Sequence, residues 1–242
     1  MERKKYYSLI LSLWMFITVT QADNQEKIYQ AYITGDMKTW KSVLAELKKN
    51  KPVQSDMILQ RANFTYGYIG WCIGNKKWTE AETQLNDLNQ MLEVLENRQY
   101  RPATVQAYRS AAIGFEIGLN KAKAPFIGPK SVRFAEKSMH TDPNEPLGYV
   151  QFGNSQYYMP AVFGGSKKEA LGYYLKAMKL MENKPAELKN NWNYLSLLTQ
   201  IAAAYHALGD NKTAIGYLKK TLQIAPGYLW VKNELYPAYL KN

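Results

Sequence analysis

The chain has little of what metal sites and disulfide-stabilised folds require. Its 242 residues include one cysteine and two histidines, so neither an intramolecular disulfide nor a cysteine cluster for zinc can form. The two histidines, His140 and His206, lack the paired spacing that a helical metal site needs. Cys72 lies in an apolar segment, YIGWCIG, and we predict that it is a buried structural thiol. Packing must therefore supply the stability.

Catalytic motifs are also missing. The segment GPKS, at 128–131, lacks the remaining glycines of a phosphate loop and follows no predicted strand. The segment GNS, at 153–155, lacks the second glycine of a nucleophile elbow. His140 stands beside TDP at a predicted helix end, where a histidine interacts with the terminal carbonyls. We therefore predict that the protein is not an enzyme and has no catalytic residue, metal site or cofactor.

The first 22 residues have a different composition from the rest. A basic start, ERKK, is followed by the apolar run YYSLILSLWMFITV and by small residues at Thr20 and Ala22. This order is typical of a secretory signal peptide and predicts cleavage after Ala22, so that the mature chain begins at Asp23. An uncleaved membrane anchor is the alternative. We expect an exported protein, periplasmic or secreted, with no membrane insertion after cleavage.

The residues that follow carry an excess of positive charge. Residues 23–242 contain 28 basic and 19 acidic side chains, a net charge of +9. The lysines occur singly or in pairs along predicted solvent-exposed helix faces, without the clustering that marks a nucleic-acid-binding surface. We expect no nucleic-acid partner. The charge favours solubility and gives a modest bias towards anionic partners.

Glycine and proline divide the chain at regular intervals. We predict helix-ending turns at Gly35, Gly74, Gly128, Gly164 with Gly165, and Gly209. The helix after each turn is predicted to end near a proline, at positions 52, 102, 143, 185 and 226, which are 50, 41, 42 and 41 residues apart. No segment shows the sustained alternation of a strand. The recurrence predicts an all-α protein, an α-solenoid of about five helix-turn-helix units.

Small residues follow four of the predicted turns, where two antiparallel helices cross closely. They are Ala81, Ser131, Ala170 and Ala214. In the first unit Trp40 takes this place, so we expect that unit to pack differently.

The last unit, residues 197–226, carries a recognisable signature. Its matching positions are Ile201, Ala202, Tyr205, Leu208, Gly209, Ala214, Leu218 and Pro226, with Thr221 where alanine is usual. The chain thus resembles the tetratricopeptide repeat (TPR) family from residue 24 to 226, most closely in this unit. The segments APFIGPKSVRFAEKSM and YYMPAVFGGSKKEALGYYLKAM are also similar to exported bacterial TPR proteins akin to the T component of TRAP transporters. The resemblance implies a TPR-like helical repeat domain over 23–226.

In TPR arrays the first helix of each unit lines the concave surface. The resemblance therefore implies a groove lined by Tyr29, Tyr32, Asn63, Tyr66, Glu116, Asn120, Lys123, Gln156, Thr199, Gln200 and His206. Such hydrogen-bonding residues with interspersed tyrosines suit a peptide or a small anion. The alternative is that they are ordinary solvated side chains of an inner surface.

Two non-catalytic functions lead, and an enzyme is the third hypothesis, for which no catalytic constellation is found. The leading hypothesis is a non-catalytic exported module that binds a protein or peptide along its concave face, as an adaptor or scaffold in the bacterial envelope. The alternative is an accessory protein like the TRAP T component, which handles a small organic ligand and assembles as a ring-shaped homo-oligomer. For the tail, residues 227–242, we predict a capping helix over the last repeat. An exposed aromatic patch for self-association is the other interpretation.

Overall fold

The computed structural model describes residues 23–50 and 53–241 of the protein. The predicted signal peptide, residues 1–22, and Pro52 lie outside the described residues. Throughout the described part of the chain the regular structure is helical, which confirms the all-α prediction. No helix within 23–50 or 53–241 is long and apolar enough to cross a membrane.

Ten helices form five consecutive helix-turn-helix pairs, as predicted. They are α1 (residues 23–34) with α2 (Met37–Lys49), α3 (Ser55–Gly74) with α4 (Trp78–Asn97), α5 (Pro102–Leu119) with α6 (Ala124–Thr141), α7 (Pro146–Tyr158) with α8 (Lys167–Glu182), and α9 (Trp192–Ala207) with α10 (Asn211–Ile224). Short 3-10 turns occupy Lys121–Lys123, Ala161–Phe163 and Pro185–Leu188. This architecture is the predicted α-solenoid.

The predicted capping helix is also present. A π-helical turn, Val231–Leu235, leads into α11 (Tyr236–Leu240). Val231 is completely buried, and the Tyr239 ring stacks on the His206 ring at a centroid distance of 4.0 Å. The tail therefore covers the last repeat.

The glycine turns were predicted well in three units. Gly35, Gly164 and Gly209 have φ angles of 72°, 93° and 83°, a left-handed conformation that glycine adopts without a steric penalty. In the second unit Gly74 is the last residue of α3, and Lys76 takes the left-handed conformation, with φ 57°. The turn stays at the predicted place although a different residue makes it.

The turn predicted at Gly128 was wrong, because Gly128 lies inside α6. The third unit instead turns at Asn120, whose side chain accepts a hydrogen bond from the backbone N–H of Ala122 at 3.1 Å. Pro125 then occupies the first turn of α6, where the missing N–H is tolerated and the fixed φ favours the helix. A capping asparagine with a proline therefore replaces the glycine turn of this unit.

The paired helices pack closely at the small residues, as predicted. Ala81, Ala170 and Ala214 are completely buried, and Ser131 is 6% exposed. The Ser131 hydroxyl donates to the carbonyl oxygen of Ser110 at 2.9 Å. A larger side chain at these positions would separate the paired helices.

The first unit contacts the last, and this contact closes the array. The rings of Trp40 and Trp192 lie 5.3 Å apart between centroids. Tyr32 packs on Trp192 at 5.6 Å and on Tyr228 at 5.0 Å. Gln25 Nε2 donates to the carbonyl oxygen of Asn190 at 2.8 Å. Aromatic rings therefore fill part of the inner face that an open solenoid would leave to solvent, and the first unit packs differently from the others, as expected.

Candidate ligand-binding cavity

A cavity of about 240 Å³ lies between the first helices of units two to five, α3, α5, α7 and α9. Its polar lining consists of Asn63, Tyr66, Thr104, Tyr108, Asn191, Asn193, Ser196 and Gln200. Its apolar wall consists of Leu59, Pro146, Leu147, Val150, Leu180, Met181 and Leu188, and charged residues at the rim are Arg101, Glu145, Lys184 and Glu187. Three predicted site residues, Asn63, Tyr66 and Gln200, thus meet in one cavity.

Asn63 is held by three other residues. Its Nδ2 donates to the hydroxyl of Tyr108 at 2.7 Å. Its Oδ1 accepts from the indole N–H of Trp192 at 3.2 Å and from Nδ2 of Asn193 at 3.3 Å. Burial raises the pKa of Tyr108, so its phenol stays neutral. Asn63 therefore ties α3 to α5 and α9 and has a single amide hydrogen left for a ligand.

Tyr66 stands beside this network. Its hydroxyl accepts from Nε2 of Gln151 at 3.1 Å, and its ring lies 5.6 Å from that of Tyr108 and 5.4 Å from that of Phe115. Burial raises the pKa of Tyr66 as well. The phenol hydrogen stays in place at neutral pH and is available to an acceptor in the cavity.

Gln200 is the cavity-lining member of six described residues that each have a buried polar atom without a hydrogen-bond partner. Its Nε2 donates to Ser196 Oγ at 3.2 Å. Its Oε1 is buried and finds no hydrogen-bond partner among residues 23–50 and 53–241. A buried acceptor without a donor costs roughly 1–3 kcal/mol. Gln200 also lines the cavity, so a turn of its amide towards the cavity would bring this oxygen within reach of an N–H or O–H donor there.

Charge is confined to the rim of the cavity and is mixed in sign. Lys184 Nζ lies 3.7 Å from Glu187 Oε1, and both side chains are exposed. Glu145 accepts hydrogen bonds from the hydroxyl of Thr104 and, at 3.0 Å, from the backbone N–H of Leu147. Arg101 is exposed at the start of α5. The interior thus offers neutral amide and hydroxyl groups beside an apolar wall.

Four predicted site residues are engaged in the core. Tyr29, Gln156 and Thr199 are 8%, 9% and 7% exposed, and Thr199 donates to the carbonyl oxygen of Ser196 at 2.7 Å. Tyr32 belongs to the aromatic contact between the first and last units. The structure does not bring these four side chains to the cavity.

The other predicted residues lie away from the cavity. Glu116 and Lys123 form an ion pair of 2.5 Å, and the side chain of Asn120 caps the adjacent 3-10 turn. His206 Nδ1 lies 2.6 Å from Oδ1 of Asn211, and its ring stacks on Tyr239. Asn120 therefore does not share a channel with Asn63 and Gln200. A role of these residues in binding stays a prediction.

Sequence reasoning missed several lining residues. The last unit was aligned from residue 197, whereas α9 begins at Trp192, so Asn193 and Ser196 were left out. Their one signal was Asn191, which caps α9 by accepting from the backbone N–H of Tyr194 at 3.1 Å. The connection between α8 and α9 lines the cavity as well, although TPR resemblance points only to first helices.

A metal site finds no support in this part of the molecule. Within the described ranges no group of three or more histidine, cysteine, aspartate or glutamate residues is placed to hold a metal ion.

Cys72 is completely buried, as predicted, and burial raises the pKa of its thiol to about 11.

Solved structures with a similar fold include the following two. The first is the HusA haemophore from Porphyromonas gingivalis, with a TM-score of 0.61 and 18% identity, covering 77% of this chain and 93% of HusA. The second is TTC0263, a thermophilic TPR protein of Thermus thermophilus, with a TM-score of 0.60 and 15% identity, covering 92% of this chain and all of TTC0263.

No family model matches the chain, and no curated protein does. At identities of 15–18% the two likenesses establish the fold and leave the function open. The narrower resemblance to the TRAP T component has no counterpart in either structure and stays a prediction. The protein has the fold of a TPR α-solenoid.

Proposed function

We propose that this chain is a non-catalytic exported binding protein that holds a short segment of a protein partner in the cavity between α3, α5, α7 and α9. It would act as an adaptor or scaffold in the bacterial envelope. The observation that carries the proposal is the set of hydrogen-bonding side chains Asn63, Tyr66 and Gln200 that lines one cavity, together with the unpartnered, buried Oε1 of Gln200. A peptide backbone supplies an N–H donor at almost every residue.

The dimensions of the site favour a short segment in extended conformation. The cavity volume of about 240 Å³ is too small for a partner helix, whose diameter with side chains is about 10–12 Å. Asn63 and Gln200 offer hydrogen bonds to a backbone, and Leu147 and Met181 offer an apolar surface to one side chain. The aromatic contact between the first and last units fills part of the inner face. The bound segment would therefore occupy this cavity and not the whole inner face.

Export rests on the order of basic, apolar and small residues in positions 1–22. The expected mature N-terminus is Asp23. N-terminal sequencing of the protein recovered from the periplasm or medium tests this directly. Met1 retained in a membrane fraction would contradict the proposal.

Site-specific crosslinking tests the partner site. Cys72 is the only cysteine and is completely buried, so a thiol introduced at Lys184→Cys on the cavity rim can be labelled alone with a maleimide photo-crosslinker. Lys219→Cys, on an exposed position of α10 outside the cavity lining, is the matched control. Both labelled proteins are illuminated in a native envelope extract, and the products are identified by mass spectrometry.

We expect one dominant product from the Lys184→Cys protein and none from the Lys219→Cys protein. Excess unlabelled protein should compete for this product, and an added Gln200→Ala change should reduce its yield. Equal products from both positions, or a yield that Gln200→Ala leaves unchanged, would contradict binding in the cavity.

A second candidate function is the carriage of a tetrapyrrole or a similar flat organic ligand. It is favoured by the likeness to a protein named a haemophore and by the apolar wall of the cavity. The exposed Arg101 and Lys184 at the rim could bind carboxylates of such a ligand. The cavity is smaller than the about 300–1,000 Å³ of most ligand pockets, so a tetrapyrrole would lie partly outside it.

Haemin titration separates this candidate from peptide binding. Carriage predicts a shift of the Soret absorption band that saturates at one haemin per chain and weakens in an Arg101→Ala, Lys184→Ala protein. Absence of a saturable shift would exclude the carriage of haem.

A further inference from the structure

Four large apolar side chains are exposed at the same end of the array. Phe126, Tyr158, Val162 and Phe163 are 83%, 76%, 86% and 70% exposed. Phe126 lies in the first turn of α6, and the other three lie at the end of α7 and in the following connection. Because α6 and α7 are consecutive and packed against each other, the start of one lies beside the end of the other. We call these four residues the apolar edge.

The tip of the apolar edge is an ordered turn. The backbone N–H of Phe163 donates to the carbonyl oxygen of Pro160 at 2.9 Å, and that of Gly164 donates to Ala161 at 2.9 Å. At Gly165 an added Cβ would fall 1.9 Å from the carbonyl oxygen of Met159, so the turn packs closely on its own backbone. Val162 and Phe163 are thus held outward by local hydrogen bonds. Clustered exposed apolar residues mark an interaction surface.

Basic side chains flank the apolar edge. Lys121 and Lys130 lie on either side of Phe126 in the sequence, and Lys168 follows the turn at the start of α8. These three lysines are exposed and form no ion pair with any residue in 23–50 or 53–241. The exposed acidic neighbours are Glu116, which Lys123 neutralises, and Glu169. The edge is therefore apolar at its tip and positive around it.

We infer that the apolar edge docks the protein on an anionic lipid surface. Val162 and Phe163 protrude from a turn and Phe126 from the first turn of α6, and a bilayer interface accepts protruding apolar groups without a complementary shape. Tyrosine favours the headgroup region, exposed phenylalanine inserts at the boundary with the acyl chains, and nearby lysines are attracted to anionic lipids. The net charge of +9 over residues 23–242 is complementary to such a surface.

Docking in this orientation leaves the cavity accessible. The apolar edge lies at the connections between the first and second helices of units three and four. The rim residues Arg101, Glu145 and Lys184 lie in connections between successive units. Antiparallel helices place these two kinds of connection at opposite ends of the array. A membrane-bound protein would therefore present the cavity rim away from the lipid, towards a partner.

Vesicle flotation tests the inference. The purified protein lacking residues 1–22 is used, since that apolar segment would itself bind lipid. Vesicles of phosphatidylethanolamine with phosphatidylglycerol are compared with vesicles of phosphatidylcholine alone. We expect binding to the anionic vesicles. High salt should weaken this binding, because salt reduces the range of the attraction between the lysines and the anionic lipids.

Amino-acid substitutions test whether the apolar edge is the part of the protein that binds the vesicles. Val162→Ser with Phe163→Ser should weaken partition to anionic vesicles by about tenfold or more, since two apolar side chains leave the lipid. Val53→Ser is the matched control, because Val53 is 72% exposed in a connection between units, at the opposite end, and should bind like the original chain. Lys121→Gln with Lys168→Gln should weaken binding only to the anionic vesicles.

Several results would overturn the inference. They are no flotation with anionic vesicles, equal flotation with phosphatidylcholine alone, and equal losses from the Val53 and Val162/Phe163 changes. Loss of a dimer in light scattering upon the Val162/Phe163 change, without vesicle binding, would assign the edge to contact between two copies. The outcome is independent of the proposed cavity function, because Gln200→Ala should leave flotation unchanged.

Discussion

Two glycines of the same helix are expected to respond in opposite directions to the same substitution. Gly67 and Gly70 both lie inside α3. A Cβ at Gly67 would fall 2.6 Å from Cη2 of Trp192 and 2.8 Å from Cζ2 of Trp40. A Cβ at Gly70 would meet only Cε1 of Phe115, at 3.9 Å, which is ordinary contact. Gly67→Ala therefore tests the closure of the array, and Gly70→Ala is its control.

The magnitudes follow from helix propensity and from packing. Alanine in a helix interior is more stable than glycine by about 0.8–1.0 kcal/mol, and this gain applies at both positions. At Gly67 the two indoles are almost completely buried and fixed by hydrogen bonds, Trp40 to the carbonyl oxygen of Phe64 at 3.0 Å and Trp192 to Asn63. Overpacking costs about 1–3 kcal/mol, and a lost hydrogen bond costs about 0.5–1.5 kcal/mol more.

We therefore expect Gly70→Ala to stabilise the protein by up to about 1 kcal/mol and Gly67→Ala to destabilise it by about 1–3 kcal/mol. Urea unfolding followed by circular dichroism gives both free energies, and the melting temperature should change by about 2–4 °C per kcal/mol. A Gly67→Ala protein as stable as the Gly70→Ala protein would refute the contact between α3, α2 and α9.

Three further changes test other parts of the fold. Ala214→Leu should overpack the completely buried crossing of α9 and α10 and lower the urea midpoint by the equivalent of about 1–3 kcal/mol; an unchanged midpoint would contradict the repeat register. Hydrogen bonds from Lys41 and Tyr68 hold the pKa of Glu80 below its usual value, so their stabilisation is present above about pH 4.3 and lost as the pH falls through the folded-state pKa. Tyr68→Phe should thus destabilise the protein by about 1 kcal/mol at neutral pH and by less at pH 3, whereas equal losses at both would refute this pairing. The Cys72 thiol, with its pKa raised to about 11, should react with a disulfide reagent at pH 8 only after unfolding, and rapid reaction of the folded protein would contradict its burial.

The repeat architecture could be predicted because local rules determine it. A left-handed glycine at Gly35 or Gly209 and a small residue at Ala170 or Ala214 act within one helix pair, so their spacing in the sequence shows the unit directly. The glycine rule failed in the third unit, because that unit turns at Asn120 and has no glycine at the turn.

The site was predictable only in part. Closure of the array depends on Trp40 meeting Trp192, and residues so far apart in the sequence leave no periodic signal. That contact includes the predicted residue Tyr32, whose ring packs on both indoles, so this part of the inner face belongs to the core. The lack of a hydrogen-bond donor at Gln200 Oε1 also results from tertiary packing, because the same amide on a solvent-exposed helix would bind water.

The affinity of the crosslinked partner for two glutamine variants tests the central claim, binding in the cavity, most directly. Gln200 lines the cavity, whereas Gln223 is exposed on α10 outside it. The account predicts that Gln200→Ala weakens binding about threefold to tenfold, the equivalent of one hydrogen bond, and that Gln223→Ala leaves it unchanged, with both proteins folded. Unchanged binding by Gln200→Ala, or an equal loss for both variants, would contradict it.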